Sequence, residues 1–380
     1  MDEEAIEKEI RLAGTAVRVF APVPEHVTGK RVHEASMPMK ARMATAWRFL
    51  AAAAFFCAAV ATVSADGPRG ECGFVSGAML APGREAEVER AVEVMAERFG
   101  VREFIFYDWF ADYSTPVRGE TWTDPFFRSR PVSRATLEAA IRAVHRRGGR
   151  AWAYVQAVAA EPSEPETPER GIRRLRDAGG AEVWHPAGSS ARFPVYEPNA
   201  AWGCRMAGRW APEVRRLGFD GIHWDTLGRL SGDTTAEEAG VRAFLRAAGP
   251  VLRRHGLAQN LNFVDLMAWD ARLAASECAF PYAEIWSREA LERWFAAMEE
   301  PPMRGRWGVV AVYPEVAADS DEPVARRLAR RREEAARHRL RCLVVGDGAR
   351  RTRREYWPDT VPLSAEEDSV LALPLRKPAE

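Results

Sequence analysis

The chain has 380 residues, with 54 Lys+Arg balanced by 54 Asp+Glu for a formal net charge of zero. At 47% hydrophobic, 28% charged and 10% aromatic residues, the composition is globular and excludes a disordered, collagen-like or coiled-coil chain. Zero net charge also argues against a nucleic-acid partner, whose phosphates would call for a basic surplus or patch.

Residues 1–36 are a leader of mixed charge with no clear pattern. Residues 37–65 read as a secretory signal peptide. Lys40, Arg42 and Arg48 precede an uncharged apolar run, 49–65, that ends in Val63-Ser64-Ala65. Either translation starts at Met37, Met39 or Met43, or the run is an internal signal-anchor, at the short edge for crossing a bilayer. The expectation is a secreted protein that meets a membrane only if this segment is not cleaved. Cys57 lies in the run. Cys72, Cys204, Cys278 and Cys342 follow it without any CxxC or Cys/His spacing, so no metal site is expected, and their pairing is not derivable.

From residue 73 onward, short apolar runs alternate with amphipathic stretches of helical period. The runs are 73–80, 103–110, 151–158, 221–227, 261–264, 283–286, 308–313 and 341–345. Helical patterns cover 85–99, 133–147, 200–217, 236–254, 288–299 and 324–339. Such alternation predicts a parallel sheet, and eight repeats predict an α/β chain closed as a (β/α)8 TIM barrel. The barrel is assigned to 66–364 as a single catalytic domain without flanking β-sandwich modules, and 365–380 as a C-terminal tail. Pro362, Pro374 and Pro378 make a last helix hard to find. Residues 159–192, rich in Pro, Glu and Gly, read as a loop or lid at the mouth. No Gly-x-Gly-x-x-Gly follows a first strand and no phosphate-binding loop is present, so no cofactor is expected.

Barrel enzymes carry their reactive groups at the C-terminal ends of strands. The strand ends here supply Tyr107, Asp108 and Trp109, then Tyr154 and Gln156. After them come His223, Trp224 and Asp225, then Asn262, then Glu284 and Trp286, then Tyr313 and Asp347. Taken singly, Asp225 could cap a helix, Glu284 could pair with an Arg, and Asp347 could sit in a turn. Four acids among Trp and Tyr on one rim instead suit glycosidic cleavage. That reaction needs one carboxylate at the anomeric carbon and another to protonate the leaving oxygen. Flat aromatics suit sugar faces. The partner expected is therefore a polysaccharide or oligosaccharide.

Several motifs stand in order along the chain. They are Phe106-Tyr107-Asp108-Trp109, Trp122-x-Asp124, His145-Arg146-Arg147-Gly148, Ala151-Trp152-Ala153-Tyr154 and Glu197-Pro198-Asn199. After these come the run from Gly218 to Gly228, Tyr282-Ala283-Glu284-Ile285-Trp286, Gly346-Asp347-Gly348 and Glu355-Tyr356-Trp357-Pro358. The set resembles glycoside hydrolase family 66, the dextranases and cycloisomaltooligosaccharide glucanotransferases. The resemblance implies a barrel acting on α-1,6-linked glucan with retention. It matches Asp225 to the catalytic nucleophile, Glu284 to the general acid/base, and Asp108, Tyr154 and Asp347 to positions lining the sugar site. Tyr107, Trp109, Trp224, Asn262, Trp286 and Tyr313 join them as candidate substrate contacts from the strand reading. Glu284 would start protonated, its pKa raised by Asp225 and apolar walls. Ala111-Asp112-Tyr113 departs from the family's Arg-His at that point, and Val155-Gln156-Ala157-Val158 from its Asn-rich stretch. Two other readings keep the fold: glycosyl transfer or attack on another α-glycan, and a weakly active carbohydrate-binding protein.

Overall fold

The computed structural model describes residues 70–125, 130–187, 191–225, 234–312, 322–352 and 360–372. The leader, the signal-peptide or anchor segment and Tyr313 lie outside the described residues. Among the described residues, no helix is long and apolar enough to cross a membrane.

The first elements are β1 (Glu71–Val75), α1 (Glu85–Arg98), β2 (Val101–Phe106), a ribbon of β3 (Thr121–Thr123) and β4 (Pro131–Ser133), α2 (Arg134–Arg146) and β5 (Arg150–Gln156). A hairpin of β6 (Trp184–Ala187) and β7 (Ala191–Pro194) leads to α3 (Ala200–Leu217), β8 (Gly221–Asp225) and α4 (Thr234–Arg254). Next come β9 (Ala258–Asn262), α5 (Ala271–Glu277), β10 (Tyr282–Ile285), α6 (Arg288–Met298), β11 (Gly308–Val312) and α7 (Val324–Arg337). The last described elements are β12 (Leu340–Leu343), β13 (Val345–Gly346), β14 (Arg350–Thr352), β15 (Thr360–Pro362) and α8 (Ala365–Ala372).

Each of the eight apolar runs overlaps a strand. Neighbours pair in the order β12-β11-β10-β9-β8-β5-β2-β1-β13-β14-β15, all parallel from β12 through to β13. β12 pairs with β11, and one residue later β13 pairs with β1. The fold is TIM-barrel-like α/β. Polar side chains start the helices where the strands release the chain. Asn199 Oδ1 accepts from Trp202 N at 2.9 Å, Asp270 Oδ1 from Leu273 N at 2.9 Å, and Ser287 Oγ from Ala290 N at 3.0 Å. The four described cysteines are free thiols.

One correction concerns the end of the pattern. The expected tail contains α8. Ser364 and Glu367 form a capping box: Glu367 N donates to Ser364 Oγ at 3.1 Å, and Ser364 N to Glu367 Oε2 at 2.9 Å. Arg351 then meets Glu367 at 2.9 Å, Arg98 pairs with Asp368, and Arg332 of α7 donates to Val370 O, so α8 docks on the helical layer. The prolines flank this helix rather than interrupting it. The stretch read as a lid contains the β6–β7 hairpin, rooted on the chain leaving β5 through Tyr196 N to Val158 O at 2.7 Å and Ala160 N to Pro194 O at 3.2 Å.

At the N-terminal ends of the strands, Glu103 is fully buried and accepts from Arg150 at 2.7 Å and from Trp152 Nε1 at 2.7 Å. The Arg150 guanidinium lies over the Trp152 ring at 5.2 Å. The motif that runs from Gly218 to Gly228 also starts here. Asp220 accepts from Ala151 N at 2.7 Å and meets His145 Nε2 at 2.9 Å, tying α2 to the starts of β5 and β8. Removing one member of the buried pair would strand the other charge. Glu103→Ala is expected to lower stability by about 3–5 kcal/mol in denaturant titration.

Candidate active site

Sheet register brings the acids together. Asp225 closes β8 opposite Asn262 on β9 and Gln156 on β5, and Asn262 in turn pairs with Tyr282 on β10, two residues before Glu284. Side chains two apart on a strand share a face. The Asn262 amide nitrogen donates to Asp225 Oδ1 at 3.1 Å and to Glu284 Oε2 at 3.0 Å. The two oxygens therefore cannot lie farther apart than those bonds laid end to end, about 6 Å. Glu284 N donates to Asn262 Oδ1 at 3.0 Å, so the amide cannot flip without facing its oxygen toward the carboxylates.

Asp225 Oδ2 accepts from Tyr154 Oη at 2.7 Å and from Gln156 Nε2 at 3.3 Å, and Gln156 Nε2 also reaches Tyr154 Oη at 3.2 Å. Burial, with the charge of Asp225 adding to it, pushes the Tyr154 phenol well up and keeps it a proton donor. The Tyr107 ring stands 4.6 Å from that of Tyr154. Its phenol too is pushed well up, first by burial and then by Glu284. Beneath Asp225, His223 packs against Tyr282 with ring centroids 4.5 Å apart. Among the described residues neither His223 nitrogen finds a hydrogen-bond partner, and burial drives its pKa down to about 3, so the ring is neutral.

Asp108 and Asp347 lie beyond the ends of β2 and β13, and both take left-handed backbone angles, φ 55° and 47°. Asp347 grips Ser76 twice at 2.7 Å, through its N–H and its hydroxyl. Burial nevertheless raises its pKa. Asp108 is 5% exposed, and its Oδ2 has no hydrogen-bond partner among the described residues. Burial pushes its pKa up to about 7, assisted by Asp124 and Asp347 and opposed by Arg130. Gly77 allows this packing, since a Cβ there would meet the Asp108 carbonyl at 2.8 Å.

Two expected sugar contacts are corrected. Trp109 and Trp224 are fully buried behind the sheet. Trp109 donates to Tyr154 O at 3.0 Å and packs edge-on against Trp210 of α3. Trp224 donates to Gln259 Oε1 at 3.2 Å and meets Phe244 of α4 edge-on. For Trp224 strand alternation is the cause: a residue adjacent to an inward acid on the same strand faces the helices. Trp286, half-buried, follows the strand that carries Glu284, and its main-chain N–H donates to Asp265 Oδ1 at 3.0 Å.

Sequence reasoning passed over Asp265 and the Ser76 grip, and read Asn262 as a sugar contact rather than a bridge. It also missed His185 on the β6–β7 hairpin. His185 pairs across the hairpin with Phe193, which is buried against Tyr113 at 4.9 Å between ring centroids. Cross-strand partners share a face, so His185 looks inward. Burial lowers its pKa while Asp225 works against that shift. No local pattern marks such a residue; it arrives through the fold of the hairpin.

The profile of Glycosyl hydrolase family 66 matches residues 61–359. Two cycloisomaltooligosaccharide glucanotransferases of Niallia circulans are each 26% identical, over 225 and 223 residues. The alignments cover 53% of this chain and 23% of each relative, so the chain spans less than a quarter of their length. A solved Paenibacillus sp. cycloisomaltooligosaccharide glucanotransferase, complexed with cycloisomaltoheptaose, superposes with a TM-score of 0.55 at 23% identity. That superposition covers 66% of this chain and 39% of the other and shows shared fold.

The Asp108 carboxyl yields a prediction independent of substrate. Its folded pKa lies above the unfolded value, so the folded state holds the extra proton. Its contribution is full below about pH 4 and is lost as pH rises toward about 7. Denaturant titrations at pH 5 and pH 8 should show about 2–3 kcal/mol of this dependence in the natural protein and its loss in Asp108→Asn.

Proposed function

The chain belongs to glycosyl hydrolase family 66, and from that membership we propose that it is a retaining enzyme of α-1,6-linked glucan, working by double displacement. Asp225 attacks the anomeric carbon as Glu284 gives its proton to the departing sugar oxygen. Glu284 then takes a proton from the incoming acceptor, and the covalent bond to Asp225 breaks with return of the original anomeric configuration. We also read the sheet as a closed (β/α)8 barrel, with β12 and β13 together forming the eighth strand between β11 and β1.

The observation that carries the proposal is the shared Asn262 amide. Its two bonds keep the bridged oxygens of the two acids within about 6 Å of each other, which favours the roughly 5–5.5 Å separation of retaining pairs over the roughly 6.5–9.5 Å that an inverting site needs for a water between them. Three donors orient the Asp225 oxygens, which suits the attacking role. Glu284 is half-buried at the strand end, where a leaving group or acceptor can reach it.

Water and a sugar hydroxyl compete for the same intermediate, and the names of the Niallia relatives favour transfer as a second outcome. Secretion is proposed on the apolar run at 49–65 and its basic flank.

Incubation with dextran, pullulan and starch, read by reducing ends, tests hydrolysis; mass analysis for cyclic or lengthened products tests transfer. Asp225→Asn and Glu284→Gln should each lose activity on dextran by several orders of magnitude with thermal melting unchanged. Nuclear magnetic resonance of the first-formed product should show the α-anomer; a β-anomer would end the double-displacement mechanism.

A further inference from the structure

We propose that Asp265 is a positioning residue for Glu284, an inference that rests on the acid/base role given to Glu284 above. The argument begins with a ladder that stops early. β9 and β10 share one register pair, Tyr282 with Asn262, and Phe263 N donates to Tyr282 O at 3.1 Å. β10 then runs on to Ile285, past the end of β9. In a parallel sheet the following N–H groups on that edge, two residues apart, would find main-chain carbonyls. Here side chains replace them. Glu284 N donates to Asn262 Oδ1, and Trp286 N to Asp265 Oδ1, both at 3.0 Å. Glu284 is thus bracketed by two side-chain acceptors, one at the end of β9 and one in the turn that follows it.

That turn is built at a conformational cost. Asp265, Leu266 and Ala268 all take positive φ, at 45°, 65° and 59°. Three left-handed residues among four, none of them glycine, are rare, and Leu is among the residues least suited to the region. Such outliers persist where the surroundings over-determine them, and they concentrate at functional sites. The surroundings here are visible. Leu266 N and Trp269 N bond within the turn, at 2.9 Å to Phe263 O and 3.1 Å to Leu266 O. The Phe263 ring meets Trp269 edge-on at 5.1 Å, and Trp269 meets Trp294 of α6 edge-on at 4.8 Å. The turn brings the Asp265 carboxylate back onto the end of β10. A regular continuation of β9 would have placed a backbone carbonyl there and let the two strands slide together. The side-chain bracket instead sets the end of β10 independently of the sheet, and with it the direction of the Glu284 carboxyl.

A residue that acts through the acid/base has a signature that a general packing role lacks. A sugar leaving group needs the proton from Glu284; a dinitrophenolate leaving group does not. The experiment measures kcat/KM on an isomaltooligosaccharide and on a 2,4-dinitrophenyl α-isomaltoside, for the natural protein, Glu284→Gln and three variants of Asp265. Asp265→Ala and Asp265→Gly remove the acceptor, and glycine accepts the left-handed backbone freely, so one variant folds even if strain defeats the other. Asp265→Asn keeps an acceptor oxygen and tolerates positive φ.

Alanine and glycine should lose about 10- to 100-fold on the isomaltooligosaccharide, the scale of a small misplacement of a catalytic group. They should lose less than about threefold on the dinitrophenyl substrate, and asparagine should restore activity on the sugar. Equal losses on both substrates in a folded variant, or no loss on either, would overturn the positioning role while leaving the Glu284 assignment intact. If Glu284→Gln itself fails to discriminate between the substrates, the acid/base reading falls, and this inference falls with it.

Discussion

One side-chain amide sets the geometry of this site. Asn262 donates from a single nitrogen to both Asp225 and Glu284 and is locked in that orientation by the Glu284 N–H on its oxygen. Two carboxylates this close would repel if left to themselves, and a shared donor between them offsets part of that repulsion. The same bond couples the two strands that carry the acids across the strand between them. Separation and mutual orientation of the acids are therefore properties of β9, which contributes no acid of its own. The proposed double displacement depends on that separation.

Around this bridge the strand ends abandon regular geometry. Asp108, Asp265 and Asp347 all follow barrel strands and all take left-handed backbone angles. A strand residue must alternate between the inner and outer faces, so a run of consecutive strand residues cannot all serve the mouth. Leaving the strand through a positive φ frees the next residue from that alternation. Asp tolerates the conformation better than most side chains. The acids beyond the strands are thus aimed by turns, whereas Asp225 and Glu284 are aimed by register.

The opposite end of the sheet does different work. Glu103, Arg150 and Trp152 close it with a buried ion pair and an indole N–H. Asp220 and His145 tie a helix to the strand starts. Glu103 is fully buried, Asp220 and His145 are partly exposed, and all three are hydrogen-bonded within the protein. Asp108, with an oxygen unpartnered among the described residues, and His223, with two such nitrogens, lie on the mouth side.

The sequence by itself determined the repeating strand-helix order and the barrel-like class, and it singled out the two acids on which the proposal rests. Those features follow from hydrophobic period and from motifs confined to single strand ends. Local pattern also contained the capping box that starts α8, although the nearby prolines masked it. Tertiary structure alone decided that Trp109 and Trp224 serve the outer layer, that Asn262 bridges Asp225 and Glu284, that His185 turns inward and that Asp265 accepts from Trp286 N. The physical reason is that a strand's own residues determine its alternation, while its register against neighbours and the course of its turns depend on groups far away in the chain. Asn262 and Glu284 lie 22 positions apart and Asn262 and Asp225 lie 37 apart; no spacing rule connects them until the sheet sets them side by side.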